Sequence, residues 1–569
     1  MRLKLTPRRI VILCCLFAAA VSSAPIFRHV LPWAHDIHFH LTRIEGVYQG
    51  LLSGQFPVRI NPAFLNGYGY ADPIMYPPLF LYFPALLRIL GFSPLTSYQV
   101  FIFAVNLMTA GISYLCAKRF FKSGDVALFA MLAYTLCLYR LICIFTRAAV
   151  GEIIGMAFLP CVFLGMYELL RGDAKHAKWL LTAGFVGLIN CHVLSALIAA
   201  EACFVILLFN LKRFFTAERV LALAEAAAAT LLLTLWVIVP MLHIGTTDLN
   251  VRYAAFDSYN HAVYPVELFA TFIKADGLSE ELKSPFTGMP LTVGGIFGLG
   301  LIIYMYIRFA KRDRDQSGVR GAFFLALGAL FAASTLFPWR LAAELPVVGR
   351  LLVSVQFPWR YLGIASVGLA VVLTCGVAHF AESAEKHRHA ILFVCALAVI
   401  FAVSPYYDNY LQNDKLTAAL ADSYAKPNTT MLGGQEYLRH GTGKDALLER
   451  GTGVVGFGAE INNIDRDYTT VTFDFEGAQD GAYAELPLYY YPGYVAEDEY
   501  GGALTADAGE NGVVRVNLPS GTRGGTVTVR YREPAVYRIA EVISLLTIII
   551  LTIKYRRDIL NFNIFRRKD

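Results

Sequence analysis

The sequence predicts a polytopic α-helical membrane protein with a small β-rich domain near its C-terminal end. Of 569 residues, 56% are hydrophobic and 16% charged, and the mean hydropathy of +0.51 is far above that of a soluble chain of this size. Lys and Arg fall in short clusters between apolar runs, the distribution that orients membrane helices. Hydropathy collapses after Pro405, and polar and apolar residues then alternate as in half-buried strands. The net charge of +6 is spread over those clusters, so no nucleic-acid partner is expected. All ten cysteines lie in or beside apolar runs and none falls between Ser404 and Asp569, so disulfides cannot hold the C-terminal domain.

The N-terminal stretch MRLKLTPRRIVILCCLFAAAVSSAP has the basic start and apolar core of a signal peptide, but Pro25 disfavours cleavage after Ala24. A retained first helix starting in the cytoplasm places residues 35–40 at the outer surface. Basic clusters at Lys118–Lys122, Arg171–Lys178, Lys212–Arg219, Lys311–Arg320, Lys386–His389 and Lys554–Arg557 all fall inside only if residues 77–91, short and holding three prolines, lie in-plane or re-entrant. That leaves about twelve spans of roughly 20 residues each, with both termini cytoplasmic. The outer face then receives residues 32–96, a turn near Arg147, and 244–290, 337–357 and 406–535. The expected domains are a transmembrane unit over 1–404, an extracytoplasmic linker and β-sandwich-like domain over 405–535, and a final span with its tail over 536–569. Strands are expected at 470–475, 513–518 and 526–531, and Asp408–Gly456 reads as a linker or irregular subdomain.

The stretch HDIHFHLTRIE, residues 35–45, concentrates polar chemistry beside the first span. A helix beginning at Asp36 aligns Ile37, Leu41, Ile44, Tyr48, Leu51 and Leu52 in one apolar stripe, which suits a helix lying in the membrane interface. Asp36, His40 and Arg43 share a neighbouring face, with His38 and Glu45 roughly opposite. Asp36 is either a functional carboxylate or only the helix N-cap. The loop that follows, SGQFPVRINPAFLNGYGYADPIMYPPLF, has the irregular composition of site-lining loops. Gly441-Thr-Gly-Lys444 lacks the first glycine and the Ser/Thr of a phosphate loop, and neither zinc-type spacing nor a Gly-x-Ser-x-Gly elbow occurs.

DIHFHLTRIEGVYQGLLSGQFPVR followed by GYGYADPIMYPPLF resembles the first extracytoplasmic loop of the bacterial 6-pyruvoyl-tetrahydropterin synthase-related membrane proteins. It is similar to the YfhO-type membrane proteins and, more distantly, to the glycosyltransferase C superfamily (GT-C). FTRAAVGEIIGMAFLP (145–160), INCHVLSAL (189–197), VQFPWRYLGI (355–364) and the stretch from AELPLYYYPGYVA to the last span fit the same resemblance. It implies a GT-C-like enzyme in the bacterial cytoplasmic membrane that moves a sugar from a polyprenyl-phosphate-linked donor to a cell-envelope glycan or lipid acceptor. Asp36 takes the position of the general base. Glu152 resembles in place a metal-binding acid of the second outer loop, which would imply a divalent cation, Mg or Mn; Ile37 after Asp36 breaks the adjacent acidic pair seen in several branches.

Such a transfer needs a base at the acceptor and cations at the leaving phosphate. Asp36 supplies the base, with His40 orienting it from one helical turn away. The guanidinium fork suits Arg43, Arg59, Arg147 and Arg360 to the donor phosphate. Competing roles are an Arg147–Glu152 pair, interfacial anchoring by Trp339, Arg340, Trp359 and Arg360, and packing by His192 and His243. Glu201 and Glu225, each inside a span, are what a transporter or flippase of lipid-linked sugars would show. A non-catalytic scaffold binding envelope glycans would lack the rim charges present here.

Overall fold

A computed structural model describes residues 6–250, 258–271, 291–310, 317–412 and 436–556. Seven helices among the described residues are long and apolar enough to cross a membrane: Pro7–Ile26, Pro94–Phe121, Val150–Arg171, Ala217–Gly245, Pro358–Ser383, Glu385–Gln412 and Ala535–Lys554. Helices Gly124–Thr135 and Leu138–Phe145, bent by 43° where they meet, make an eighth if counted together. The expected twelve are not reached by length and composition. Val193–Leu208, Gly295–Phe309 and Gly318–Ala333 are apolar but have fewer than 18 residues, and at 1.5 Å per residue they fall short of a hydrocarbon layer about 30 Å thick. Leu79–Ile89 is shorter still, in keeping with a 77–91 segment that does not cross.

Two spans form the centre of the bundle. In Val150–Arg171 and Pro358–Ser383, 83% of the apolar stretch is buried, whereas in Ala535–Lys554 only 17% is. The central pair therefore packs on protein, and the last helix, beside Ala217–Gly245, faces outward. Pro7–Ser23 docks on Pro94–Phe121, where the Asn106 amide donates to Ser23 Oγ at 2.6 Å. At one end of the bundle the Arg388 guanidinium grips Asp125 through two bonds of 2.7 and 3.0 Å, and Arg119 pairs with Glu168 at 2.6 Å.

The expected helix of the first loop runs from Ile37 to Leu52, and its first three turns pack into protein while Leu52 at its end is exposed. Ile37, Leu41, Ile44 and Val47 join the main core, while His38 and Glu45 are buried as well. Arg88 of the Tyr82–Ile89 helix neutralises Glu45 at 2.5 Å. A Cβ at Gly46 would overlap the Asn61 amide, so glycine there permits close approach of helix and loop.

The C-terminal domain is two antiparallel sheets. One has strand order β1-β4-β8-β7, comprising Val455–Phe457, Tyr483–Tyr489, Val513–Asn517 and Ala506–Ala508. The other runs β2-β3-β9-β5-β6, comprising Glu460–Asp467, Thr470–Glu476, Gly524–Tyr531, Tyr494–Asp498 and Ala503–Leu504. Alternating Val471, Phe473 and Phe475 of β3 meet Val527 and Val529 of β9 and Leu486 and Leu488 of β4 in a separate apolar core. The three expected strands correspond to β3, β8 and β9. The boundary expected at 404 shifts: helix Arg388–Gln412 continues through Pro405. Residues 413–435 of the expected linker lie outside the described residues, and Lys444–Glu449 is a short helix.

The β-domain is fastened to the first loop. Tyr489 N–H donates to Tyr68 O at 2.6 Å, the Tyr468 hydroxyl to Ile60 O at 2.6 Å, and Gln55 Nε2 to Thr469 Oγ1 at 2.6 Å. Asn250 N–H reaches Leu438 O at 2.7 Å. These segments, widely separated in sequence, therefore share one face of the molecule.

Candidate functional site

The turn between Leu138–Phe145 and Val150–Arg171 is the pivot of the site. Ala148 adopts a left-handed φ of 50°, a conformation that costs an L-residue about 1–2 kcal/mol. The chain thereby reverses, and Arg147 points back into the protein. Its Nη1 donates to Glu152 Oε2 at 2.7 Å and lies 3.3 Å from Cys143 Sγ. The Tyr139 hydroxyl holds the other Glu152 oxygen. A second turn of the same kind faces it: Gln356 has φ 64°, and Arg360, held through Nη1 by Val355 O and Gln356 Oε1 at 2.7 and 2.9 Å, brings Nε within 3.8 Å of Glu152 Oε2. Arg360 Nε is buried with no hydrogen-bond partner. Two guanidiniums thus face one carboxylate, a local excess of positive charge with donor capacity to spare.

The first loop closes over this pair. His35 and Asp36 donate their backbone N–H groups to Thr146 O and Arg147 O at 3.1 and 2.9 Å, stitching the stretch to the Arg147 turn. Asp36 occupies the N-cap position of Ile37–Leu52, but its side chain caps nothing. Its half-buried carboxyl instead lies in the field of Arg147, Arg360 and Glu152; burial pushes it above its ordinary range, against the pull of the two guanidiniums. Tyr76 is the lid on the other side. Its hydroxyl accepts from Gly151 N–H at 3.0 Å, its ring lies 5.7 Å from His192, and a Cβ at Gly151 would overlap that hydroxyl.

Several expected roles do not fit this placement. Arg43 is fully buried: it donates to Asp72 Oδ2 at 2.9 Å and to Tyr76 O, and lies 3.9 Å above the Tyr76 ring, so its fork is spent inside the protein. Burial raises its partner Asp72 to about 6. Arg59 is farther away, bonded to Glu541 at 2.6 Å and 3.4 Å from Glu533. Neither is placed to hold a donor phosphate at Asp36. His40 does not orient Asp36 through its ring, which packs against Phe39 and Tyr76 with Nδ1 3.5 Å from Arg43; burial lowers its pKa well below that of a free imidazole. Trp339 and Trp359 are buried rather than interfacial, with Trp359 stacked on Phe357 at 4.3 Å. For Glu152 as a metal ligand, both oxygens are occupied and two cations adjoin it. Among the described residues no three His, Cys, Asp or Glu side chains come together to hold a metal, so this donor set does not fit a divalent ion.

Asp36, Arg147, Glu152 and Arg360, all singled out from sequence, are thus brought together; Tyr76 and Tyr139 were missed. The aromatic run GYGYADPIMYPP marked the loop that holds Tyr76, whereas Tyr139 stands in an apolar helix and carries no local signal.

No protein-family model matches the chain. An uncharacterized protein of Lactococcus lactis subsp. cremoris is 21% identical over 594 aligned positions, spanning 95% of this chain and 93% of the relative. Among solved structures, the archaeal oligosaccharyltransferase AglB from Archaeoglobus fulgidus, in complex with an inhibitory peptide and a dolichol-phosphate, superposes with a TM-score of 0.38 at 12% identity. The superposition covers 76% of this chain and 61% of that one, so the chain spans about three-fifths of that structure; the likeness is too distant to assign fold or chemistry.

Proposed function

We propose that this protein is a GT-C-type membrane glycosyltransferase that moves a sugar from a polyprenyl-phosphate-linked donor to a cell-envelope acceptor. The observation that carries the reading is the meeting of Asp36 with the Arg147–Glu152–Arg360 group at the ends of the two most buried spans. In this reading the acceptor hydroxyl gives its proton to Asp36 while its oxygen bonds the anomeric carbon of the sugar. The bond from that carbon to the phosphate oxygen breaks, and its electron pair stays on polyprenyl phosphate. Arg360, with its unpartnered Nε, receives the developing charge, and Arg147, held by Glu152, adds to the field. A carboxyl held above its ordinary range is a better base than a free one. Guanidinium, not a divalent cation, neutralises the leaving group.

The resemblance of the first loop and of residues 145–160 and 355–364 to YfhO-type and GT-C proteins points the same way. It also supports a bacterial cytoplasmic membrane, while the basic clusters between the spans support cytoplasmic termini and an extracytoplasmic β-domain. A transporter reading has no comparable support, because Glu201 is bonded to the Tyr361 hydroxyl at 2.6 Å and Glu225 to Lys178 at 2.6 Å. The test is the full chain reconstituted in lipid and given polyprenyl-phosphate sugars with envelope lipid or glycan acceptors. Release of polyprenyl phosphate, unchanged by a metal chelator, is the expected result. Translocation of intact donor without its cleavage would sink the proposal.

A further inference from the structure

We infer that a cleft at the start of the last span, lined by Phe56, Arg59, Tyr531, Arg532, Arg538 and Ile539, binds the phosphate of an anionic membrane phospholipid. The cleft has a volume of about 770 Å³ and is separate from the Asp36 site. Its floor is a ring of charges. Arg59 joins Glu541 at 2.6 Å and Glu533 at 3.4 Å, while Arg538 joins the same two acids at 3.0 and 3.4 Å. Arg538 also donates to Phe56 O at 3.1 Å, so the ring fixes the first loop to the final helix.

Arg532 is different. It is exposed, and among the described residues its guanidinium makes no ion pair, although it stands three residues before the start of the Ala535–Lys554 span. Beside it the Tyr531 hydroxyl is buried without a hydrogen-bond partner. Three arginines face two carboxylates there, and burial together with the neighbouring Glu541 raises Glu533 to about 7, so the cleft is positive at neutral pH and below. A planar guanidinium with free donors at the mouth of a cleft with net positive charge is the equipment that holds a phosphate.

The apolar surroundings select a lipid over a free ion. Phe56 and Ile539 are 66% and 58% exposed, and Val542 and Leu546 continue from Ile539 along one face of the last helix, also exposed. A ligand with its phosphate on Arg532 and Arg538 would lay an acyl chain along that stripe. The site stands whether or not the transfer reaction does.

The experiment is native mass spectrometry of the full chain in nonionic detergent, titrated with phosphatidylglycerol, phosphatidylcholine or inorganic phosphate. The wild type should retain one phosphatidylglycerol in preference to phosphatidylcholine, and millimolar phosphate should not displace it. Arg532→Ala, which removes no ion pair or side-chain hydrogen bond among the described residues and should leave thermal unfolding unchanged, should weaken that binding roughly ten-fold, the size of one charged hydrogen bond. Equal retention by Arg532→Ala and wild type would overturn the inference, as would equal retention of the two lipids or displacement by free phosphate.

Discussion

Asp36 gains its character from its neighbours. Because burial raises its pKa, transfer should rise with pH through a midpoint above the ordinary carboxylate value of about 3.9, the rate being lost as the base takes up its proton below it. A pH–rate profile of the reconstituted protein checks this, and a limb at the ordinary value would detach Asp36 from the rate. At Arg360 the fork matters more than the charge. Arg360→Lys should therefore weaken donor binding while expression holds, measured by titration with the donor lipid. Glu152 is a different case: Glu152→Gln leaves Arg147 buried without its counter-charge, which costs about 3–5 kcal/mol, so a lower unfolding temperature should accompany any loss of activity. At this scale the sequence was readable where partners are near. Arg147 and Glu152 are five residues apart, and their pairing was one of the expected alternatives. The fates of Arg43 and Arg59 were hidden, since Asp72 lies 29 positions from Arg43 and Glu541 lies 482 from Arg59.

At the scale of elements, spacing revealed periodicity but not what covers each face. The helix at Ile37–Leu52 followed from its apolar stripe, and the same stripe would serve a membrane interface or a protein core. Here its first three turns are core, because Tyr82–Ile89 packs along them and the Tyr468 hydroxyl reaches Gly46 O, while Leu52 stays exposed. Gly46→Ala tests this packing: the added methyl meets Asn61, so the first loop should be displaced and the unfolding temperature should fall, whereas a helix resting in lipid would gain from the better helix former. Strand β3 was legible because it alternates between buried and more accessible residues along its length, and β8 and β9 because they alternate over part of theirs. The number of spans was not, since apolar helices of 16 or 17 residues and a helix pair broken by 43° carry the same composition as full spans.

For the whole molecule, the organising feature is that the first loop, the Arg147 turn, the start of the Pro358–Ser383 span and the β-domain meet on one face. Reporters fused at Gly91 and at Gly456 should consequently report the same side of the membrane; opposite sides would contradict this arrangement. The β-domain holds the loop through bonds donated by Tyr489 and Tyr468 and one accepted by Thr469 from Gln55, and the loop in turn places Asp36 beside Arg147 and Arg360. The central claim is that this assembly performs sugar transfer with Asp36 as base. Its most direct test is the rate of polyprenyl-phosphate release by wild type and Asp36→Asn in the same lipid, with donor affinity measured alongside. Because the Asp36 side chain makes no capping bond, asparagine should leave the fold intact. The account predicts release slowed by about 10² to 10⁴ with donor affinity little changed. Release by Asp36→Asn at the wild-type rate would contradict it.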